Sequence, residues 1–245
     1  MDRIQKVLAN SGIASRRKVE SLIDQRRVKV NGVVATIGMR ITGKEKIFVD
    51  SKEVTIDKPD SSHQHIVYYK PAGEVSTRSD PEGRKTIFQN ISPPSKGRWV
   101  SVGRLDISTS GLMILTTDGK LANRLMHPRY QVTREYAVRI IGELSNTDIA
   151  LLKNGIELSD GLAKFEYISK DGKSGVNTWY KVALKEGRNR EVKRIFEAVN
   201  FRVSRLIRIR FGPIKLGSMK RGDIRNLTVK EVSSLHNSSD AKKNR

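Results

Sequence analysis

The feature that most constrains the fold is a polar loop, bounded by glycines, that separates two short apolar runs. Residues 103–111 read Gly-Arg-Leu-Asp-Ile-Ser-Thr-Ser-Gly and lie between the runs at 98–102 and 112–115. Short apolar runs next to glycine predict strands, so the loop would lie where a sheet passes into a turn. Rigid strands often display catalytic side chains on such loops. Asp106 is therefore either a catalytic candidate or, with Ser108, only a cap of the turn through side-chain to backbone hydrogen bonds.

The composition indicates a folded chain without disulfides or a membrane segment. Its 245 residues are 37% hydrophobic, which is enough for a core and for one or two domains. The absence of cysteine excludes a disulfide framework and a thiolate metal site. The four histidines lack zinc-motif spacing, so we expect no metal. No run of about 18 apolar residues occurs and the amino terminus has no apolar signal core, so we expect a cytoplasmic protein without a membrane partner.

The formal net charge of +21 is the second constraint. Lys and Arg that neutralise phosphates release condensed counterions, so a large positive surplus on a folded chain favours a polyanionic partner. Residues 1–48 alone carry eleven Lys or Arg against four Asp or Glu. A membrane surface is less favoured because the sequence shows no basic amphipathic helix with a broad aromatic face. We expect nucleic acid as the partner.

Two short helices are predicted at the amino terminus. Apolar residues recur at helical spacing from Ile4, and Ser15 is a suitable cap for a second helix. Arg16, Arg17 and Lys18 would then fill the first turn of that helix, where the helix dipole disfavours cations. An anionic partner would explain all three, whereas an ordinary solvated face would explain one or two.

The segments that follow predict an α+β chain. Asn31-Gly32 between two Val-rich runs predicts a tight hairpin, and the polar stretch 50–64 predicts a linker. Beyond it, many short strand-like segments alternate with few helices, which favours an antiparallel or mixed sheet. The polar, basic segment 236–245 predicts a disordered tail. The strands are predicted at 66–69, 132–141, 162–169, 178–184 and 202–211, and the helices at 120–126, 145–153 and 189–199.

The predicted helix at 189–199 has a buried stripe and a basic remainder. The stripe consists of Val192, Ile195, Phe196 and Val199, which follow helical spacing. Like charges one turn apart repel, so the basic pair on another face predicts a phosphate or carboxylate partner. Residues 188–225 carry twelve Lys or Arg, Arg208 among them, against three Asp or Glu. We expect a second RNA-facing surface here, and the basic pair consists of Arg190 and Arg194.

Several motifs resemble the RsuA/RluB family of bacterial ribosomal RNA pseudouridine synthases, and they occur in the family's order from residue 103 to residue 194. The last motif is most similar to the type that acts on large-subunit RNA. The motifs are Gly103-Arg104-Leu105-Asp106, Thr109-Ser110-Gly111-Leu112, Thr116-Thr117-Asp118-Gly119, the stretch 121–128, Arg134-Glu135-Tyr136-Ala137-Val138, and the stretch 186–194.

The resemblance implies the chemistry of the site. It makes Asp106 the catalytic carboxylate in the isomerisation of uridine to pseudouridine, with no cofactor, because no electron or group is exchanged. It leaves open whether Asp106 attacks the base, attacks the sugar, or removes a sugar proton to give a glycal. By the family pattern Lys193 is the cation that keeps Asp106 ionised, with Arg190 as the alternative. Tyr136 would lie under the target base and remove its C5 proton, or only pack in the core.

The resemblance also implies how the RNA is held. A stacked uridine must be flipped out of the RNA, and Arg104 matches an arginine that helps to replace it, although it could instead form a salt bridge within the turn. Val192 would pack against the flipped base, unless it belongs only to the core. The RNA-binding candidates are Arg104, Arg16, Arg17, Lys18, Arg188, Arg190 and Arg194.

The resemblance divides the chain into an S4-type RNA-binding domain at 1–49, the linker at 50–64, a catalytic domain at 65–235 and the tail at 236–245. The expected partner is large-subunit (23S) ribosomal RNA or a precursor particle, and we expect a monomer. Alternatives are a small-subunit target, a non-catalytic ribosome-assembly protein, or a DNA-binding regulator that uses the amino-terminal helices as a helix-turn-helix. A pure RNA binder would not need Asp106, Tyr136 and Lys193.

Overall fold

The computed structural model describes residues 1–56 and 63–240, which divide into two compact units. The first unit consists of Met1–His65 as far as described, together with Pro93–Val100 and Thr116–Gly119. The second unit consists of Ile66–Ser92, Ser101–Leu115 and the chain from Lys120 onward. Two short segments of the predicted catalytic domain therefore group with the amino-terminal unit.

The amino-terminal part of the first unit packs two helices against short strands. The helices and strands are β1 Asp2–Arg3, α1 Ile4–Asn10, α2 Arg16–Asp24, β2 Val28–Val30, β3 Val33–Val34, β4 Arg40–Ile41, β5 Ile47–Val49 and β6 Lys52–Val54. Strand β1 pairs with β4, and the other strands form a sheet in the order β3-β2-β5-β6.

Local signals in the sequence account for these elements. The Ser15 hydroxyl accepts a hydrogen bond of 3.2 Å from the backbone N–H of Lys18, which caps α2 as predicted. Asn31 and Gly32 both have positive φ, 48° and 86°, the backbone that a tight hairpin turn requires. The apolar faces of α1 and α2 then close a core that includes Ile4, Leu8, Val19, Leu22 and Ile47.

The predicted start of the linker is wrong for three residues. Lys52–Val54 form β6, which pairs antiparallel with Ile47–Val49. Asp50 and Ser51 adopt positive φ at the turn between these strands, so a short hairpin continues the sheet where the polar composition suggested a linker. Residues 57–62 of that segment lie outside the described residues.

A large sheet organises the chain from residue 65 onward. The elements are β7 His65–Lys70, a 3-10 helix Ile87–Gln89, β8 Val100–Ser101, β9 Ser110–Thr116, α3 Gly119–Met126, a 3-10 helix Pro128–Tyr130, β10 Arg134–Ile141, α4 Asn146–Asn154, β11 Ile156–Leu158, β12 Gly161–Ala163, β13 Tyr167–Ser174, β14 Asn177–Leu184, α5 Glu191–Glu197, β15 Val203–Phe211, β16 Ile214–Lys215, β17 Ile224–Asn226 and α6 Val229–Asp240. The main path of the sheet runs β13-β14-β10-β15-β9-β7-β17, while short β16 pairs with β15 and short β8 pairs with β9.

This sheet is mixed, so the predicted α+β class is confirmed. The pairs β10–β14, β10–β15, β13–β14, β15–β16 and β7–β17 are antiparallel, whereas β15 runs parallel to β9, with Arg208 opposite Gly111. The predicted stripe of Val192, Ile195, Phe196 and Val199 is buried as expected, although α5 is shorter than the predicted helix at 189–199 and ends at Glu197, before Val199.

The sequence prediction differs from the structure in strand lengths. The single strand expected at 162–169 is two strands, because β12 ends at Ala163 and β13 begins at Tyr167. Between them Phe165 is buried, and its N–H donates to the Leu152 carbonyl of α4. The strand expected at 98–102 is reduced to Val100–Ser101. The alternating apolar pattern therefore continued across an interruption of the strand, where the Phe165 N–H donates to a helix carbonyl and the Glu166 N–H donates to the Ala183 carbonyl of β14.

The predicted disordered tail is wrong for residues 236–240, which form the last turns of α6. Thr228 and Glu231 cap the start of this helix reciprocally, since each side chain accepts from the other residue's backbone N–H. Leu235 is fully buried and holds the helix against the unit. Residues 241–245 lie outside the described residues. Within the described chain, no helix has the length and apolar character needed to cross a membrane.

Gly111 should tolerate no side chain. A Cβ there would lie 2.3 Å from the Arg208 carbonyl oxygen, and its φ is +114°. We expect Gly111→Ala to lower the free energy of unfolding by about 3 kcal/mol or more, since backbone strain and overpacking each cost about 1–3 kcal/mol. Gly161→Ala is the matched control, because Gly161 has φ +104° and open space around it, so only the strain term applies. Urea titrations that gave equal losses for the two variants would contradict the close-contact argument.

Candidate active site

A cleft of about 530 Å³ lies in the second unit, at the edge of the loop that carries Asp106. This volume is within the usual range for a small-molecule or single-base pocket. Predicted site residues that line it are Arg104, Asp106, Tyr136, Arg188, Arg190 and Val192, and it also includes Arg134, Glu191, Leu206 and Arg208.

Asp106 and Lys193 lie beside each other, as the sequence predicted. The Lys193 ammonium nitrogen is 3.8 Å from the Asp106 Oδ2, and the Asp106 side chain is 34% exposed against 10% for Lys193. Lys193 also donates a hydrogen bond of 2.6 Å to the Ser108 hydroxyl. Burial lowers the pKa of Lys193 below its ordinary value, an effect that Asp106 opposes. The Lys193 ammonium is therefore held at the loop by the Ser108 hydroxyl and the Asp106 carboxylate.

The Asp106 loop rests on a buried lysine that sequence reasoning missed. The Lys70 ammonium donates to the carbonyls of Pro71, Asp106 and Thr109 at 3.0, 3.2 and 2.8 Å. Burial lowers its pKa to about 8, while Glu74 and Asp106 act in the opposite direction. Three acceptors match the three donors of an ammonium, so Lys70 fixes the loop through its backbone. The sequence feature that could have indicated this role is the position of Lys70 at the end of an apolar run, immediately before a proline.

Other contacts hold the same loop. The Ser76 hydroxyl donates to the Leu105 carbonyl at 2.8 Å and accepts from the Leu105 N–H at 3.2 Å. The Gly73 N–H donates to the Ile107 carbonyl, and the Thr109 N–H donates to that of Asp106. The carboxylate is thus displayed by a backbone whose groups are individually bonded, which limits reorganisation when a ligand binds.

Tyr136 lines the wall of the cleft together with two buried arginines, Arg208 and Arg134. It is 7% exposed and stands on β10 opposite Arg208 of β15. Arg208 is 2% exposed; its Nε donates to the Leu112 carbonyl at 2.8 Å, while its Nη2 has no partner among the described residues. Burial lowers the pKa of Arg208, and hydrogen bonding to Tyr136 opposes this. We predicted that Arg208 belongs to an RNA-facing surface. That prediction is wrong, because the position of Arg208 on β15 directs its side chain into the interior.

Arg134 is the second of these arginines, and it was also missed. It is 9% exposed, and its Nη1 donates to the carbonyls of Val132, Lys185 and Glu186 at 3.0–3.2 Å. Burial lowers its pKa as well. Arg134 thereby fastens the segment before α5 to the sheet, and this segment forms one side of the cleft.

The predicted RNA-binding arginines around α5 have different surroundings. Arg188 donates to the carbonyls of Asp160, Gly161 and Leu162 and pairs with Asp160, Glu186 and Glu191. Arg194 makes two hydrogen bonds of 2.8 Å to the Asp160 carboxylate. Carbonyls and carboxylates of the protein engage both guanidinium groups, and the remaining Arg194 Nε is buried. The structure therefore gives no support to the prediction that these two arginines bind RNA. The sequence predicted a phosphate or carboxylate partner for the basic pair of Arg190 and Arg194. For Arg194 this partner is the Asp160 carboxylate.

The remaining candidates keep accessible groups. Arg104 is exposed at the cleft and makes no ion pair among the described residues, so the salt bridge considered for it is not formed there. Arg190 is about half exposed and pairs with Glu197 at 3.3 Å. Val192 is 4% exposed, lines the cleft and also belongs to the core stripe. In the first unit, Arg16, Arg17 and Lys18 are exposed on the first turn of α2.

Comparison with known proteins identifies the class. Residues 64–198 match the model of the RNA pseudouridylate synthase family, and residues 2–47 match the S4 domain. The chain belongs to the RNA pseudouridylate synthase family and carries an S4 domain at its amino terminus. The predicted family, two-domain α+β fold and enzyme class are therefore confirmed.

Relatives and one solved structure refine this. The chain is 48% identical over 238 residues to ribosomal large subunit pseudouridine synthase B of Yersinia pestis, covering 96% of this chain and 75% of that protein. It is 48% identical over 237 residues to the protein of the same name from Pseudomonas aeruginosa, covering 96% and 61%. A crystal structure of a pseudouridylate synthase superposes with a TM-score of 0.66 at 28% identity, covering 96% of this chain and all of the other.

Proposed function

We propose that this enzyme isomerises one uridine of large-subunit (23S) ribosomal RNA, and that Asp106 is its catalytic carboxylate. The observation that carries the assignment is the position of Asp106. Its carboxylate stands in the cleft on a loop fixed by Lys70, 3.8 Å from the buried Lys193 ammonium. An ionised carboxylate held beside a cation, on a wall shared with Tyr136, is suited to covalent or acid–base work on a base or a sugar.

The reaction needs only groups that the cleft contains. The bond between uracil N1 and ribose C1′ breaks, the uracil turns, and C5 joins the same carbon. The proton leaves C5 and N1 regains one, so the product is an isomer and no co-reactant is consumed. Asp106 acts on the base or the sugar, and the three routes described above give the same balance. Tyr136 is our candidate for accepting the C5 proton, because its side chain lines the cleft beside Arg208.

RNA binding precedes this chemistry. Flipping a stacked uridine into the cleft costs a few kcal/mol, which contacts to the surrounding RNA must offset. We propose that Arg104, which is exposed at the cleft, occupies the space that the uridine leaves. The basic first turn of α2, with Arg16, Arg17 and Lys18, supplies contacts to phosphates. We propose that Arg190 adds another, since it is half exposed.

The choice of RNA rests on the relatives. Curated relatives at 45–48% identity are named ribosomal large subunit pseudouridine synthase B, which favours the large subunit over a small-subunit target. A non-catalytic assembly factor would not require the fixed Asp106 loop. We further propose that the enzyme acts as a monomer in the cytoplasm, on 23S RNA or on a precursor particle.

Asp106→Asn should abolish turnover and leave binding intact. The substitution keeps the shape of the side chain but removes its charge, so we expect the single-turnover rate to fall by about three orders of magnitude or more. Affinity for a large-subunit transcript should stay within about twofold. Pseudouridine is detected by carbodiimide-dependent primer-extension stops, with Glu157→Gln as the control because it neutralises an exposed carboxylate on β11. A rate for Asp106→Asn near that of wild type would exclude the assignment.

Replacing Lys193 should affect the isomerisation step, whereas replacing Arg190 should affect mainly RNA binding. Loss of the ammonium beside Asp106 disfavours the ionised carboxylate, so Lys193→Met should move the acidic limb of the pH–rate profile to higher pH and slow the step by about 10–100-fold. Arg190→Met should weaken RNA binding with a smaller effect on the step. Single-turnover rates at saturating enzyme across pH measure both. A normal rate for Lys193→Met with a collapsed rate for Arg190→Met would transfer the role to Arg190.

Replacing Arg16, Arg17 and Lys18 together by Ala should change RNA binding and stability in opposite directions. Each lost phosphate contact lowers the slope of log affinity against log salt by about 0.7–0.9. Cations in the first turn of a helix are unfavourable, so the unfolding free energy should rise by a few tenths of a kcal/mol for each. The control replaces Lys44, Lys46 and Lys52, also exposed in this unit. An unchanged salt slope would show that the first turn of α2 does not face phosphate.

A further inference from the structure

The large sheet presents a second surface, on the face opposite the cleft. Side chains alternate between the two faces of a strand, so Arg139 of β10 points away from the face that carries Tyr136. The strand register places Arg139 directly between Trp179 of β14 and Arg205 of β15. These three side chains form a continuous row across adjacent strands, which we call the Trp179 row.

The Trp179 row is accessible and partly preorganised. Trp179 and Arg139 are half-buried and Arg205 is exposed. The Arg139 guanidinium carbon lies 5.9 Å from the centre of the Trp179 ring, and its Nε donates to the Ser204 hydroxyl at 3.0 Å. Ser204 in turn donates to the Arg139 carbonyl. Arg139 is therefore held beside the aromatic ring by the neutral Ser204 hydroxyl, so this contact does not compensate the positive charge of the guanidinium group.

The carboxylates on this face are already neutralised. Asp171 pairs with Lys181 at 2.5 Å, and Glu135 pairs with Arg210 at 2.6 Å. Among the described residues, Arg139 and Arg205 make no ion pair. The face thus combines an accessible indole with two guanidinium groups that make no ion pair among the described residues. Aromatic rings that stack bases, flanked by cations that contact the backbone, are the usual means of binding single-stranded nucleic acid.

We propose that the Trp179 row binds a single-stranded RNA segment. A base stacks on the Trp179 indole, and Arg139 and Arg205 contact the phosphates on either side. The proposal rests on the proposed function in one respect, namely that this strand belongs to the same RNA whose uridine enters the cleft. An anionic membrane would also attract the two arginines, but a single half-buried indole is not the broad apolar face that binds a membrane interface.

The chain offers a direct optical test, because it has only two tryptophans. Trp99 is 5% exposed, so in a Trp99→Phe variant the emission comes from Trp179 alone. We expect a ten-nucleotide oligouridylate to quench this emission saturably, and a duplex RNA of equal length to quench it several-fold less. Arg139→Gln with Arg205→Gln should weaken the oligouridylate affinity at least tenfold and lower the salt slope by about 1.4, twice the single-strand value of about 0.7 per phosphate.

Lys153→Gln with Lys164→Gln is the matched control, since both lysines are exposed elsewhere in the unit, and it should leave affinity and slope unchanged. If Trp99→Phe does not fold, filter binding of oligouridylate to the arginine variants of the otherwise unaltered chain gives the same comparison. Absence of quenching, an unchanged salt slope, or quenching by phosphatidylserine vesicles but not by the oligonucleotide would each overturn the proposal.

Failure of this proposal is distinguishable from failure of the proposed function. Isomerisation of a large-subunit transcript by the unaltered chain, without quenching of Trp179, would exclude the Trp179 row and leave the function intact. Quenching by oligouridylate without isomerisation would exclude the function and leave the surface as an RNA-binding site.

Discussion

The parallel contact between β9 and β15 is the constraint on which the site depends. Gly111 meets the backbone of Arg208 so closely that a methyl group would lie 2.3 Å from its carbonyl oxygen. This contact brings the start of β9, and with it the Asp106 loop, next to the strand that faces Tyr136. Strands far apart in the chain thereby supply the carboxylate and the wall of one cleft, and a side chain at residue 111 would separate them.

Buried cations dominate the electrostatics of this cleft. Lys70, Arg134, Lys193 and Arg208 are each less than 10% exposed, and burial lowers the pKa of each. Burying a charge is unfavourable unless hydrogen bonds compensate for the lost water. Backbone carbonyls provide most of that compensation for Lys70 and Arg134. The arrangement concentrates positive charge around the Asp106 loop, which favours a negatively charged substrate.

The arginines of the chain fall into two groups, those that pair with carboxylates of the protein and those that make no ion pair among the described residues. Arg188 and Arg194 join α5 to the hairpin of β11 and β12 through Asp160, so they position the helix that carries Lys193. Arg104, Arg139 and Arg205 make no ion pair among the described residues. Net charge measures the sum of these groups and does not separate them, because an arginine looks the same in a sequence whether its partner is a carboxylate or a phosphate.

The sequence by itself determined several of the elements and the family of the chain. The Ser15 cap, the Asn31-Gly32 turn and the stripe on α5 follow from local chemistry and periodicity, and the motifs around Asp106 indicated the family. Only the tertiary structure decided which cations are buried, because burial depends on strands remote in sequence. Lys70 acquires its role from carbonyls of the Asp106 loop. Arg208 acquires its role from a carbonyl of β9 and from Tyr136 of β10, and Asp160 meets Arg194 across 34 residues of sequence. Such partners have no fixed spacing along the chain, so no local pattern encodes them.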